Sequence, residues 1–294
     1  MPSTRVTSGG RTRAAFEELR IHARDLVFDA LAAGPDDGPL VLLLHGFPQS
    51  NQTWRAAAAP LAAAGFRCVA PNQRGYSAGA RPLERDAYRL PELVSDVLAM
   101  ASALGRDRFH LVGHDWGGAV AWAVAAAHAD RVASLTAVST PHPRAYRESM
   151  VPGLQALRSA YVPFFATRGV SEVVLGSRGG LGLTALLRGT GLPRDHTAAY
   201  VEAMRAPGAL TAALSWYRAA RPSDLGYVAD VTRPTLYVWG SRDVALGGAA
   251  ARATSRHVTG DYRFVPIAAG HWIPETRGVE LGDMVVEHLT RYAE

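Results

Sequence analysis

Short apolar runs alternate along this chain with longer helical segments, and this alternation restricts the fold more than any other feature. The run 40–44 is apolar at every position and stops at His45-Gly46, which is typical of a strand buried on both faces of a sheet. Similar runs follow at 68–70, 108–112, 132–138, 235–239 and 262–266, and helical patterns lie at 90–104, 118–127, 248–258 and 279–292. Strands alternating with helices in this way predict an α/β fold with a mostly parallel, doubly wound sheet.

The start and the middle of the chain depart from this alternation. Strand-like stretches at 18–23 and 25–30 precede a strong turn signal and predict a hairpin that opens the sheet. From about 141 to 230 the pattern is helical, with Pro and Gly breaks and no convincing buried strand. Because this segment is too long for a crossover, we predict that 141–230 form a helical lid, or cap, inserted into a core made of 1–140 and 231–294.

The composition restricts partners and cofactors. Hydrophobic residues make up 48% and charged residues 19%, as in ordinary globular proteins. The formal charge of +5 comes from scattered arginines, with no basic block interleaved with aromatic residues, so we expect no nucleic-acid partner. The chain has no lysine to form a Schiff base, and its one cysteine, Cys68, excludes an intrachain disulfide and a multi-thiolate metal site. We expect neither a cofactor nor a metal.

The hydropathy of the chain indicates its expected cellular location. No apolar run approaches the roughly 20 residues that span a bilayer. The first residues contain no apolar stretch that resembles a signal-peptide core. We therefore expect a cytoplasmic protein without a membrane partner, and the sequence gives no oligomeric state.

Two pentapeptides compete for the position of a catalytic nucleophile. Gly75-Tyr76-Ser77-Ala78-Gly79 matches the serine-hydrolase pattern, but Ser77 lies six or seven residues beyond its strand, and the residues after it cannot open a helix. Gly113-His114-Asp115-Trp116-Gly117 lies directly between a predicted strand and a predicted helix, which is the context that exposes a nucleophile. A helix-capping aspartate would not need glycines on both sides. We therefore predict Asp115 as the nucleophile.

An aspartate at this turn determines the type of chemistry. A carboxylate with an ordinary pKa of about 4 is ionised at neutral pH and needs no base to activate it. It suits displacement at a saturated carbon, which leaves an alkyl ester on the enzyme. A water molecule activated by a histidine must then hydrolyse that ester.

The remaining catalytic groups are expected after other strands. His271 follows the last predicted strand and Asp243 follows the strand before it, in the order nucleophile, acid, histidine. Aspartates are also common in turns, so spacing alone leaves a structural role for Asp243 open. The expected oxyanion donors are the backbone N–H groups of Trp116, directly after the nucleophile, and Phe47, in the loop after the run 40–44.

Four motifs together resemble the epoxide hydrolases of the α/β-hydrolase superfamily. They are His45-Gly46-Phe47-Pro48 followed by Gln49 and Trp54, Gln73-Arg74-Gly75-Tyr76-Ser77, Gly113-His114-Asp115-Trp116-Gly117-Gly118, and Gly270-His271-Trp272. The resemblance extends over most of the chain from about residue 20 and weakens in the lid. It implies the α/β-hydrolase fold and the conversion of an epoxide and water to a vicinal diol without a cofactor. The expected substrate pocket includes Phe47, Pro48, Trp116 and Trp272.

The resemblance also implies two lid tyrosines that hydrogen-bond to the epoxide oxygen and protonate it as the ring opens. Matching the pattern places them at Tyr161, in Ser-Ala-Tyr-Val-Pro-Phe-Phe, and at Tyr217, in Leu-Ser-Trp-Tyr-Arg. Such donors are needed because an alkoxide is a poor leaving group, whereas a phenol with a pKa of about 10 can share its proton at neutral pH. Tyr146, Tyr200 and Tyr227 compete for this role.

Two other functions stay open at this point. A haloalkane dehalogenase shares the aspartate turn but stabilises the departing halide with two side-chain N–H donors. Phe47 supplies no such donor, and the only lid tryptophan is Trp216. A non-catalytic small-molecule receptor on the same scaffold is the alternative from another class, because fold does not fix function. A receptor, however, has no need of His271 paired with Asp243.

Overall fold

Eight strands form one sheet in the computed structural model, which describes residues 16–150, 155–221, 223–224 and 228–292. The strands are β1 (Glu17–Ala23), β2 (Leu26–Ala33), β3 (Leu40–Leu44), β4 (Arg67–Pro71), β5 (Phe109–His114), β6 (Val132–Val138), β7 (Thr235–Gly240) and β8 (Tyr262–Ile267). Their order across the sheet is β1-β2-β4-β3-β5-β6-β7-β8. β1 and β2 form the predicted antiparallel hairpin, β2 is antiparallel to β4, and all later pairs are parallel. The predicted α/β fold with a mostly parallel sheet is confirmed.

Helices cover both faces of this sheet and fill the long connection between β6 and β7. Six of them belong to the alternation with strands: α1 (Arg55–Ala63), α2 (Leu90–Ala103), α3 (Trp116–Ala127), α10 (Gly248–Ala253), α11 (Ile273–Thr276) and α12 (Gly278–Thr290). The alanine-rich α1 was not predicted. The others lie between β6 and β7: α4 (Pro143–Glu148), α5 (Gln155–Arg158), α6 (Tyr161–Ala166), α7 (Val170–Gly189), α8 (Arg194–Met204) and α9 (Ala209–Ala219).

The all-apolar strand β3 lies at the centre of the core. Because successive side chains of a strand point to opposite faces, Leu42 and Leu44 pack in the apolar layer that contains Trp122 of α3. Val41 and Leu43 pack in the opposite layer, which contains Leu281 of α12. Burial on both faces explains why this strand has no polar position.

The described residues between β6 and β7 form helices and contain no strand. Helices α6 to α9 enclose a third apolar cluster, which also includes Phe47 from the loop after β3 and Trp272 from the loop after β8. Helix α7 is interrupted, because the backbone from 177 to 180 is not helical. The inserted helices thus pack against loops at the carboxyl ends of the parallel strands.

Hydrogen bonds fasten α9 to the sheet-bearing part of the chain. The indole N–H of Trp216 donates to the Arg74 carbonyl oxygen at 2.9 Å. Arg74 is itself held by a buried ion pair with Asp96 at 2.6 Å. Arg81 donates at 2.8 Å to the carbonyl oxygen of Pro207, which lies just before α9. Helix α9 therefore has a fixed position relative to the sheet.

We expect Trp216→Phe to destabilise the fold by about 1–3 kcal/mol, because it leaves the buried Arg74 carbonyl oxygen without its donor. Trp54→Phe is the matched control, since the Trp54 indole N–H is buried and has no acceptor among the described residues. Urea unfolding of both variants measures the difference. Equal losses of stability in the two variants would show that the hydrogen bond from Trp216 contributes nothing.

Candidate active site

Asp115 occupies the tight turn between β5 and α3. Its backbone has φ 52° and ψ −123°, which costs a non-glycine residue about 1–3 kcal/mol unless the surroundings enforce it. A Cβ atom on Gly113 would lie 2.3 Å from the Gly117 carbonyl oxygen, and one on Gly117 would lie 2.2 Å from the carbonyl oxygen of Leu44. Close approach of the backbone therefore requires both glycines.

The loop after β3 holds the Asp115 carboxylate from one side. The backbone N–H of Phe47 donates to Asp115 Oδ1 at 2.8 Å. A Cβ atom on Gly46 would lie 2.4 Å from that oxygen, so only glycine allows the loop to come this close. Trp116, the other expected donor, is the first residue of α3, and N–H groups in the first turn of a helix have no partner within it. Phe47 thus contacts the carboxylate directly, and the N–H of Trp116, which has no partner within α3, directly follows Asp115 in the chain.

His271 lies between two carboxylates. Its Nδ1 is 2.8 Å from Asp243 Oδ2, and its Nε2 is 3.6 Å from Asp115 Oδ2. The other oxygen of Asp243 accepts the backbone N–H groups of Ala245 and Leu246 at 2.8 and 2.9 Å. Asp243 is therefore both a turn aspartate and the partner of the histidine. The fold brings together the three predicted residues Asp115, Asp243 and His271.

A second set of buried polar groups fixes the backbone of His271. His114 Nε2 and the Ser139 hydroxyl both lie 2.9 Å from the His271 carbonyl oxygen. Gln49 Oε1 accepts the Gly46 N–H at 2.6 Å and lies 2.9 Å from His114 Nδ1. The His114 side chain therefore points away from the Asp115 carboxylate. The supporting roles of Gln49 and Ser139 were not predicted.

Sequence reasoning also missed Glu275, four residues after His271. Its Oε1 accepts hydrogen bonds from Gln49 Nε2 at 2.6 Å, from the Thr53 hydroxyl at 2.8 Å and from the Tyr200 hydroxyl at 2.9 Å. These bonds join α11 to the segment after β3 and to α8. No local pattern reveals them, because Gln49 and Glu275 are 226 positions apart in the chain.

Burial and charge act in opposite directions on the central pair. Burial raises the pKa of Asp115, but the hydrogen bond and charge of His271, together with the Phe47 N–H, hold that pKa below its ordinary value. Burial lowers the pKa of His271, but the negative charges of Asp243 and Asp115 hold that pKa well above its ordinary value. The charges around His271 therefore favour its protonated form in the free protein.

Two tyrosines of the inserted helices face this group. Tyr161 begins α6, Tyr217 lies on α9, and their ring centroids are 6.3 Å apart. Both line a cavity of about 70 Å³ together with Asp115 and His271. Burial, and then the negative charge of Asp115, raises the pKa of each phenol well above its ordinary value. Both hydroxyls therefore stay protonated at neutral pH.

The competing tyrosines have other partners. The Tyr146 hydroxyl lies 2.7 Å from Ser159 Oγ, and the Tyr200 hydroxyl donates to Glu275. Tyr227 lies outside the described residues. Neither Tyr146 nor Tyr200 lines the cavity that contains His271.

A second cavity of about 340 Å³ adjoins the first and shares Asp115, Tyr161 and Tyr217 with it. The predicted pocket residues divide between the two cavities. Those of the smaller cavity are Phe47, Pro48 and Trp272, and Trp116 lines the larger one. A ligand at Asp115 therefore has room for apolar substituents in two directions.

Two residues of the rival interpretations are engaged elsewhere. The Ser77 hydroxyl is buried and donates to the Asn72 carbonyl oxygen at 2.8 Å. The short 3₁₀ helix Ala78–Ala80 follows it, so the expectation that no helix opens after Ser77 was wrong. The indole N–H of Trp216 donates to the Arg74 carbonyl oxygen, so it is not available to bind a halide.

The described ranges contain no candidate metal site and no candidate membrane span. No group of three or more His, Cys, Asp or Glu side chains there is arranged to hold a metal ion. No helix in the same ranges is long and apolar enough to cross a membrane.

Comparisons with known proteins agree with this architecture. The family model of the alpha/beta hydrolase fold matches residues 39–277. AB hydrolase superfamily protein YfhM of Bacillus subtilis is 32% identical over 278 residues, which cover 92% of this chain and 96% of that protein. Epoxide hydrolase A of Mycobacterium tuberculosis is 30% identical over 301 residues, which cover 88% and 92% of the two chains. The crystal structure of epoxide hydrolase A from Mycobacterium thermoresistibile superposes with a TM-score of 0.83 at 26% identity, covering 94% of this chain and 98% of that one. The chain therefore belongs to the α/β-hydrolase superfamily and, within it, to the epoxide hydrolase family.

Proposed function

We propose that this enzyme converts an epoxide to a vicinal diol through an alkyl ester on Asp115. The observation that carries the proposal is that one cavity is lined by the Asp115 carboxylate, the His271 ring and two protonated phenols, Tyr161 and Tyr217. A nucleophile, a base and proton donors thus meet at one place. The similarity to relatives named epoxide hydrolases supports the same reaction.

The first step is ring opening. Asp115 Oδ1 is held by the Phe47 N–H, so the other oxygen, Oδ2, attacks an epoxide carbon. The carbon–oxygen bond of the ring breaks, and its electron pair stays on the epoxide oxygen. Tyr161 and Tyr217 hydrogen-bond to that oxygen, and one of them transfers its proton to it. The product is a hydroxyalkyl ester of Asp115.

The second step is hydrolysis of the ester. His271 removes a proton from water, and the resulting hydroxide attacks the carbonyl carbon of the Asp115 ester. Asp243 stabilises the imidazolium that forms, while the N–H groups of Phe47 and Trp116 stabilise the oxyanion. Collapse of this intermediate breaks the ester bond, and the proton of the carboxylic acid that forms passes to the departing alkoxide. This releases the diol and regenerates the carboxylate with one oxygen from water.

The charge of Asp115 controls when His271 can act as a base. The pKa of His271 is high in the free enzyme partly because Asp115 is negative. Esterification neutralises Asp115, so the pKa of His271 falls. The ring then gives its proton to the tyrosinate that ring opening leaves, and the neutral ring can act as a base when the ester needs water. We also propose that residues 141–230 form the cap that closes both cavities over a core of 1–140 and 231–294.

The charge coupling predicts that Asp115→Asn lowers the pKa of His271, because it removes one of two negative neighbours. A raised pKa stabilises the fold below the unfolded histidine pKa of about 6.5, and this contribution is lost as pH rises through the folded pKa. The variant should therefore show a weaker pH dependence of stability in that window. Histidine NMR titration measures the shift, and Asp195→Asn on an exposed stretch of α8 is the control. An unchanged His271 pKa in Asp115→Asn would contradict the coupling.

The ester mechanism predicts that His271→Gln opens epoxides but does not release the diol, because no base activates water. Intact-protein mass spectrometry should show the protein mass increased by one substrate molecule. In the unchanged enzyme, repeated turnover in heavy-oxygen water should label the peptide that contains Asp115. Diol formation with an unlabelled Asp115 would exclude the ester.

The proposed acids predict that Tyr161→Phe and Tyr217→Phe each slow ester formation, and that the double variant loses about 10²-fold or more. Tyr262→Phe is the control, because the Tyr262 hydroxyl in β8 has no partner among the described residues. Single-turnover measurement of ester formation distinguishes the variants. If the double variant opens epoxides at the unchanged rate, these tyrosines are not the acids.

The same assays test the rival functions. Halide release from bromoalkanes without diol formation from any epoxide would favour a dehalogenase. Saturable binding of epoxides without any product would favour a receptor.

A further inference from the structure

Gln155, the first residue of α5, forms an unusual contact between the inserted helices and a loop of the active site. Its side chain is 4% exposed. Its Oε1 accepts the Gly247 N–H at 2.8 Å, and its Nε2 donates to the Ala245 carbonyl oxygen at 2.8 Å. One amide group thus forms two hydrogen bonds with the backbone of a single loop, as a neighbouring strand would. A side chain needs both a donor and an acceptor to do this. An ionised glutamate has no donor, and leucine has neither group.

The loop that Gln155 holds is the one that orients Asp243. The N–H groups of Ala245 and Leu246 fix Asp243 Oδ1, so that Oδ2 faces His271. Arg158, one helical turn after Gln155, donates to the Asp243 carbonyl oxygen at 2.5 Å. Helix α5 therefore holds this loop at both of its ends.

The same helix leads directly to Tyr161. Gln155 Nε2 also donates to Ser159 Oγ at 3.0 Å, and the Tyr146 hydroxyl lies 2.7 Å from that oxygen. The Ser159 carbonyl oxygen accepts the Val162 N–H at 3.0 Å, in the first turn of α6. The segment that begins α6 with Tyr161 is thus hydrogen-bonded back to Gln155.

We propose that Gln155 is a positioning residue for both Asp243 and Tyr161. It holds the carboxylate that stabilises His271 in the second step and a proton donor of the first step. This inference rests on the proposed function. Without the Gln155 amide, two buried backbone groups lose their partners and the loop from 243 to 247 relaxes. Asp243 then contacts His271 less closely, and its charge raises the pKa of that ring less.

The test is Gln155→Leu, which keeps the approximate size of the side chain and removes its three hydrogen bonds. Single-turnover measurements with an aryl epoxide give the rates of ester formation and ester decay across a range of pH. We expect ester decay to slow about tenfold, the effect of a lost buried hydrogen bond of typical strength. We expect the pH midpoint of decay to fall, because a less basic His271 loses its proton at lower pH. Ester formation should slow to a smaller extent, through Tyr161.

Thr197→Val is the control for a merely structural effect. Thr197 is buried in α8, and its hydroxyl donates to the Pro193 carbonyl oxygen at 2.9 Å, within the inserted helices. This variant should lower the melting temperature without moving the pH midpoint. Arg158→Met tests the same loop through its other end, at a residue that is only half-buried, and should move the midpoint in the same direction.

The outcomes separate this inference from the proposed function. A wild-type enzyme that forms no diol from any epoxide would overturn the proposed function. A wild-type enzyme that forms diol, with a Gln155→Leu variant that keeps both rates and the pH midpoint, would overturn the inference alone. If Gln155→Leu does not fold, an unchanged midpoint in Arg158→Met overturns it instead.

Discussion

The carboxyl groups of Asp115 and Asp243 flank the buried imidazole ring of His271, and the rest of the site depends on this arrangement. Moving a charge out of water costs several kcal/mol, so a buried ion is stable only where partners replace its hydration. Asp243 receives two backbone N–H groups and His271, and Asp115 receives the Phe47 N–H. These donors lie in the loops after β3, β7 and β8, which meet because parallel strands end at one edge of the sheet. The fold therefore determines the electrostatics of the site.

Burial by the inserted helices has two opposite effects on the acids of the site. The apolar cluster that includes Phe47 and Tyr217 lowers the polarity of the surroundings, which strengthens the charge interactions inside. Burial and the charge of Asp115 keep Tyr161 and Tyr217 protonated. Asp115 experiences the same burial but faces His271, so it stays ionised. Proton donors and an ionised nucleophile thus coexist within one cavity.

The sequence was informative where function depends on local geometry. The turn at Asp115 lies between a strand and a helix and has a glycine two residues away on each side, and all of these features are contiguous in the sequence. The positions of Asp243 and His271 follow from where their strands end. Contacts between segments that are far apart in the chain produce no local sequence pattern. Gln49 and Glu275 are 226 positions apart, and neither has a pattern that identifies the other. The choice among five tyrosines between 141 and 230 required the resemblance to a family, because helical periodicity alone does not show which side chains face Asp115.

The two proposed proton donors are held by different parts of the molecule. Tyr217 lies next to Trp216, whose N–H bonds to the Arg74 carbonyl oxygen in the sheet-bearing part of the chain. Tyr161 follows α5, which bonds to the loop after β7 through Gln155. A displacement of the inserted helices relative to the sheet therefore need not move both hydroxyls equally. In the proposed reaction the epoxide oxygen must meet both donors while Asp115 attacks, so the two supports together would define where the ring lies. The proposed geometry of ring opening thus depends on these two backbone contacts as well as on the tyrosines themselves.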